Sequence, residues 1–160
     1  MNNQEHKKLI LEIRRAFKNV AFPGDKSNKV GNWWEISRLL GKKWQDVSVE
    51  DVNINSGLHF LTAKGLRYYL PAYLIAILTN PEQVNGNVRE SVLDVLSPSE
   101  TTNNKRLETL IATNFSSAQK QVIYEFLKVF DQLYPLWVQD WDIQEILKRG
   151  LEYWGKILST

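Results

Sequence analysis

Apolar residues recur along much of the chain with the period of an α-helix. Near the start they form one stripe of five side chains: Leu9, Ile10, Ile13, Phe17 and Val20. Spacings of three and four positions place such residues on one helical face, which predicts a helix over residues 4–18. The same period over residues 122–133 and 143–158 predicts two long helices near the C-terminus, which we expect to pack against each other. Ser116 and Gln119 have the spacing of a capping box at the start of the first of these helices.

Residues 62–78 are apolar on most sides of a predicted helix. Thr62 can cap its start, and apolar side chains continue from Leu66 to Leu78. A helix of this kind belongs in the centre of a domain. Pro71 lacks a backbone N–H group, so it predicts a kink or the meeting of two helices.

These elements predict a mainly α fold. We expect one compact, irregular domain of five to seven helices over residues 1–160, a length sufficient for a hydrophobic core. A short strand pair near residues 47–60 is a further expectation, because Val47, Val49 and Val52 are typical of strands. The stretch from Ser48 to Asp51 indicates a helix instead of a strand, since it resembles a helix start.

The composition excludes several kinds of chemistry. The chain has no cysteine, which rules out disulfides, thiolate zinc sites and cysteine nucleophiles. His6 and His59 are the only histidines, and neither lies in a metal-binding motif. No glycine-rich nucleotide loop and no serine-nucleophile motif is present. We therefore expect no metal and no cofactor, and the absence of any catalytic motif does not favour an enzyme.

Charge and hydropathy bear on partners and compartment. No apolar run approaches about 18 residues and the N-terminus is polar, so we expect no membrane span and a cytoplasmic protein. Residues 1–45 contain ten basic and four acidic residues, although the whole chain has a net charge of only +2. Five basic side chains share one side of the first helix: Lys7, Lys8, Arg14, Arg15 and Lys18. They form either a solvated face or a binding patch. Such a patch would bind nucleic acid or an acidic partner, and nucleic acid is the less favoured of these two.

Six tryptophans form the first group of candidate binding residues. Core packing is one interpretation of the set. The other is that some are exposed anchors for another protein, since Trp33 and Trp34 are adjacent and cannot both point inward from one helical face. Trp137 and Trp141 are four positions apart and would share a face if the last helix reached back that far.

The second group surrounds Arg67 in the central helix. Its members are Arg67, Tyr68, Tyr69, Tyr73, Asp25 and His59. A guanidinium in an apolar segment needs a carboxylate or several acceptors. Two interpretations stay open: a structural clamp between Arg67 and Asp25, or an anion-binding arginine in a tyrosine-lined pocket.

Several segments of the chain resemble segments of an uncharacterised bacterial family. They are Pro23-Gly24-Asp25, Trp44, Phe60-Leu61-Thr62, and R-Y-Y-L-P-A-Y-L at residues 67–74. The chain is similar to domain-of-unknown-function family 6714 over about residues 9–130. A helical extension over about 136–158 would lie outside the shared region. The resemblance implies a compact bacterial domain and no established activity, substrate or catalytic residue.

Three functions follow as hypotheses. The favoured one is a non-catalytic protein-binding or adaptor domain of the bacterial cytoplasm. The first alternative is a small-molecule binding protein or enzyme that holds an anionic ligand around Arg67 and Tyr68/Tyr69. The second is a weak nucleic-acid binder that uses the basic face of the first helix.

Overall fold

The computed structural model describes residues 3–24, 36–54, 58–99 and 115–160. Within these ranges there are six α-helices: α1 Asn3–Phe17, α2 Val49–Ile54, α3 Ala63–Thr79, α4 Gly86–Leu96, α5 Ser117–Leu133 and α6 Trp141–Leu158. Short 3-10 turns lie between them at Trp44–Asp46, Leu58–Phe60, Pro81–Gln83 and Trp137–Gln139. The predictions of a mainly α fold and of five to seven helices are confirmed.

The chain divides into two compact units. One consists of Met1–Ala16 and Leu93–Thr160, and the other of Phe17–Val92. The divisions fall within α1 and α4, so each of these helices contributes residues to both units.

Helix α3 forms the core of the unit Phe17–Val92. It begins as predicted, with the Thr62 Oγ1 accepting the Gly65 backbone N–H at 3.1 Å. The helix runs without a break through Pro71, so the predicted meeting of two helices at this residue is wrong. Leu70 and Leu74 are fully buried, and this apolar packing holds the helix together where the proline lacks a donor.

The predicted strand pair near residues 47–60 is wrong, because helical turns occupy the described part of this range. Residues 49–54 form α2 and Leu58–Phe60 form a 3-10 turn. A reciprocal cap starts α2: the Ser48 Oγ accepts the Asp51 N–H at 3.1 Å, and the Asp51 Oδ2 accepts the Ser48 N–H at 3.1 Å. The cap satisfies backbone donors locally, and this outweighs the strand preference of the valines.

Helices α5 and α6 belong to the other unit and contact each other, as predicted. Ser116 and Gln119 form the predicted capping box at the start of α5. The Asp140 carboxylate caps α6 by accepting the N–H groups of Asp142 and Ile143. The largest fully buried side chain in this unit is Trp154 of α6, whose ring packs edge-on against Phe115.

The C-terminal end of α4 is buried and receives hydrogen bonds from α6. The Trp154 Nε1 donates to the Leu96 carbonyl oxygen at 2.8 Å, and the Arg149 Nε donates to the Ser97 carbonyl oxygen at 3.0 Å. Carbonyl groups at a helix end have no partner within the helix, so these side chains satisfy groups that burial would otherwise leave unpaired.

Gly150 allows this close approach of α6. A Cβ atom at this position would lie 3.3 Å from the Leu127 Cδ1 and 3.4 Å from the Leu96 carbonyl oxygen, and it would collide with the Ser97 Oγ. The missing side chain therefore lets the Trp154 and Arg149 donors reach the end of α4.

Gly150→Ala should lower the free energy of unfolding by about 1–3 kcal/mol, because a methyl group would push α6 away from α4. Denaturant unfolding measures this loss. Gly155→Ala is the matched control in the same helix, since its Cβ would meet only the Tyr124 ring at 3.6 Å or more. The control should keep or raise stability, because alanine favours the helix by about 1 kcal/mol. Equal losses in both variants would contradict the close-packing explanation.

Candidate functional site

The predicted tyrosine-rich site lies on α3, and its three tyrosines belong to the core. Tyr68, Tyr69 and Tyr73 are buried, whereas Arg67 is half-buried. The Tyr68 ring packs edge-on against Phe22 and Tyr69, with centroid distances of 5.3 Å and 4.9 Å. Two of the tyrosines are thus parts of one aromatic cluster.

The Tyr69 hydroxyl binds the backbone of the segment before α2. It donates to the Leu39 carbonyl oxygen at 2.7 Å and lies 3.0 Å from the Lys42 carbonyl oxygen. Gly41 has a φ of +71°, a left-handed conformation that lets the chain turn between these two carbonyl groups. Tyr69 therefore holds this turn against α3.

Asp51 is the centre of a charged cluster next to the tyrosines. Its Oδ2 lies 2.6 Å from the Lys42 Nζ, and its Oδ1 lies 3.8 Å from the Arg38 Nε. The Asp51 side chain is 5% exposed, while Lys42 and Arg38 keep 39% and 46% of their side-chain surface in solvent. The buried carboxylate is thus paired with cations that remain hydrated.

Two pKa shifts describe the chemistry of this region. Burial acts to raise the pKa of Asp51, but hydrogen bonds from Lys42 and Ser48 outweigh it and lower that pKa below its ordinary value. The pKa of Tyr73 is raised, first by burial and then by the negative charge of Asp51 and by Tyr69. At neutral pH Asp51 is therefore a carboxylate and Tyr73 a neutral phenol, which is unsuited to act as a base.

The remaining candidates of the two groups are either exposed or outside the described residues. His59 is exposed in the turn Leu58–Phe60. Asp25, Trp33 and Trp34 lie outside the described residues, so the Arg67–Asp25 clamp stays a prediction.

Two further features of the described ranges concern membranes and metals. No helix there has both the length and the apolar character needed to cross a membrane. Nor do the described histidine, aspartate and glutamate side chains form a group of three that could hold a metal ion.

The connection between α5 and α6 exposes large apolar side chains. Leu136 is 80% exposed and Trp141 is 69% exposed. Trp137 is half-buried and packs against Phe130 and Tyr134, with centroid distances of 5.8 Å and 6.1 Å. The two tryptophans do not share a helical face, because Trp137 lies in a 3-10 turn and α6 begins at Trp141. We call Leu136, Trp137 and Trp141 the Trp141 surface.

Acidic residues flank the residues of the Trp141 surface along the sequence. Residues 131–145 contain four acidic residues and no basic one: Asp131, Asp140, Asp142 and Glu145. All four are exposed, and Asp140 also caps α6. An apolar side chain among carboxylates suits a partner that carries both apolar and basic groups.

Sequence reasoning named Trp137 and Trp141 but missed the residues around them. Leu136 follows the helix break at Tyr134-Pro135, and no local pattern indicates that its side chain is exposed. The acidic residues from Asp131 to Glu145 are a signal for a charged surface, since no basic residue lies among them.

Tyr69→Phe should lower the free energy of unfolding by about 1–3 kcal/mol, because the buried Leu39 carbonyl oxygen would lose its donor. Tyr68→Phe is the matched control: its ring is also buried, and its hydroxyl makes no hydrogen bond within the described residues. Chemical denaturation compares the two variants. If both phenylalanine variants lose equal stability, the Tyr69 hydroxyl does not hold the turn.

Stability should fall in acid because of Asp51. A carboxyl group whose pKa is lower in the folded state stabilises the fold above its unfolded pKa, near 3.8, and this contribution is lost as the pH falls through the folded pKa. Asp51→Asn should reduce stability by about 1–3 kcal/mol at neutral pH. The loss should disappear in acid, and unfolding titrations at several pH values measure it. Asp46→Asn, which removes an exposed carboxylate nearby, is the control and should have little effect. A loss that persists unchanged in acid would contradict this role.

Comparison with known proteins returned one finding. A family model described as a family of unknown function, DUF6714, matches residues 5–158. The match includes α6, so it covers more of the chain than the resemblance over about residues 9–130. No curated protein and no solved structure matched the chain. Because the model covers nearly all of its residues, the chain belongs to the DUF6714 family of unknown function.

Proposed function

We propose that the chain is a protein-binding domain whose partner docks on the Trp141 surface. The observation that carries this proposal is the 69% exposure of Trp141 at the first position of α6. Tryptophan is among the residues that contribute most to binding when a partner covers it. Leaving such a side chain in water costs solvation free energy that docking would recover.

The backbone around Trp141 is fixed before any partner arrives. The Asp140 carboxylate holds the first turn of α6 through the N–H groups of Asp142 and Ile143. Trp137 packs on Phe130 and anchors the preceding turn. A preorganised surface loses little conformational entropy on binding, so more of the contact energy appears as affinity.

The acidic residues define the chemistry of the partner. Asp140, Asp142 and Glu145 would repel an acidic segment and attract a basic one. We therefore assign the site to a basic protein segment that also carries an apolar side chain. Within the same proposal the protein acts in the bacterial cytoplasm, because a cysteine-free chain suits a reducing compartment.

The tyrosine-rich group gives less support to the alternative of a ligand pocket. Tyr68 and Tyr69 are already used in ring packing and in hydrogen bonds to the backbone. No second function is therefore proposed.

An aromatic photo-crosslinking amino acid at position 141, which keeps a large apolar ring in place of the tryptophan, tests the proposal in cells of the source organism. We expect one protein adduct from position 141 and none from position 156. The latter is an exposed site in the last turn of α6, about 20 Å away along the helix. Asp142→Lys/Glu145→Lys in the same protein should abolish the adduct, because the charge that attracts a basic partner is reversed.

Two outcomes would contradict the proposal. One is the absence of an adduct at position 141. The other is an adduct that the reversed charges at Asp142 and Glu145 leave unchanged, since the partner would then not recognise the acidic rim. Thermal unfolding of each variant confirms that the fold is intact.

A further inference from the structure

Helix α1 carries a surface opposite in charge to the Trp141 surface. Leu11 is 55% exposed on this helix. Four exposed cations lie three or four positions before and after it: Lys7, Lys8, Arg14 and Arg15. Residues with these spacings are neighbours on a helix, so the cations surround the leucine. We call these five residues the Leu11 face.

Most cations of the Leu11 face form no ion pair within the described residues. Lys8 lies 3.8 Å from Glu12, an exposed pair of the kind that contributes little to stability. In the part of the chain that the structure describes, Lys7, Arg14 and Arg15 form no ion pair. The face is therefore free to meet carboxylates of another molecule.

The two surfaces are opposite in charge, and each of them exposes apolar side chains. One has an exposed leucine among four cations, and the other has an exposed leucine and tryptophan that four exposed carboxylates flank along the sequence. The Leu11 face extends about 12 Å from Lys7 to Arg15, and the start of α6 extends about 8 Å from Asp140 to Glu145. The four carboxylates lack an ion-pair partner within the described residues, as do three of the four cations.

We propose that the partner of the Trp141 surface is a second copy of this chain, which docks through its Leu11 face. This inference rests on the proposed function, since it names the occupant of that surface. Both surfaces belong to one unit of the chain. Two copies related by a twofold axis would form the same contact twice, which is the commonest arrangement of homodimers.

The observations favour a second copy over nucleic acid as the occupant of the Leu11 face. An exposed leucine in the middle of the cations suits an apolar side chain better than a phosphate backbone. The net charge of the chain is only +2, and the acidic residues near Trp141 would repel phosphates.

Sedimentation of the full chain over a range of protein concentrations tests the proposal. We expect a dimer at an ionic strength of about 0.01 M, with a dissociation constant on the order of 10 µM, as for a small polar contact. At about 1 M the Debye length falls to about 3 Å, and the dimer should dissociate.

Variants connect the dimer to these two surfaces. Trp141→Ser should weaken dimerisation about 30-fold, the effect of losing an interface tryptophan. Lys7→Glu/Lys8→Glu and Asp142→Lys/Glu145→Lys should each abolish the dimer. A mixture of these two charge-reversed proteins should associate again, because both contacts are then complementary: one joins the two reversed surfaces and the other joins the two original surfaces.

The control reverses two charges elsewhere on α6. Glu152 and Lys156 are both exposed and lie towards the other end of the helix. Glu152→Lys/Lys156→Glu leaves the net charge unchanged and should dimerise like the original chain. Thermal unfolding checks every variant, and Trp141→Ser alters only an exposed side chain, so at least this variant should fold.

The outcomes separate this inference from the proposed function. A chain that stays monomeric at low ionic strength overturns the homodimer, yet a charge-dependent adduct from position 141 would still support a different protein partner. A dimer that survives Trp141→Ser and both charge reversals also overturns the inference, because it uses another surface. Binding of a DNA or RNA duplex by the monomer, lost in Lys7→Glu/Lys8→Glu, would assign the Leu11 face to nucleic acid and overturn it as well.

Discussion

Buried helix ends constrain this structure more than any other feature, because their backbone groups have no partner within the helix. Side chains distant in sequence supply the missing donors. Gln119 donates to the Ala16 carbonyl oxygen at 3.0 Å across 103 positions of sequence, while it also caps its own helix. Trp154 does the same for Leu96 across 58 positions. Such bonds position whole helices, so the surfaces carried by α1 and α6 depend on them.

The local part of the fold could be predicted from the sequence because capping is a short-range interaction. Thr62 and Ser116 start helices in the structure as their patterns indicate. The valines at positions 47, 49 and 52 indicate a strand and the stretch from Ser48 to Asp51 indicates a helix start, and the reciprocal cap decides for the helix. The partner of a polar side chain such as Gln119 depends on tertiary packing, so no local pattern reveals it.

The candidate site was harder to predict, because the same residue type serves in cores and on surfaces. Trp137 and Trp141 are only four positions apart, but Trp137 lies in a 3-10 turn and Trp141 begins a helix, so one ring packs against other aromatic rings and the other is exposed. The tyrosines of α3 suggested a pocket, yet Tyr69 is fully buried against backbone carbonyl groups. Burial decides between these roles, and periodicity alone does not indicate it.

Charge gives the exposed tryptophan a specificity that its apolar surface alone would lack. An apolar patch attracts any other apolar patch, so an unprotected one favours unspecific association. Carboxylates beside Trp141 place like charges against each other whenever two such surfaces meet, and the cations around Leu11 do the same on α1. Only the pairing of a Trp141 surface with a Leu11 face brings opposite charges and apolar side chains together. Repulsion between surfaces of like charge is a common way in which interfaces become specific. In the proposed dimer, the uneven distribution of charge along the chain, basic at the start and acidic near α6, therefore disfavours every pairing except that of the Leu11 face with the Trp141 surface.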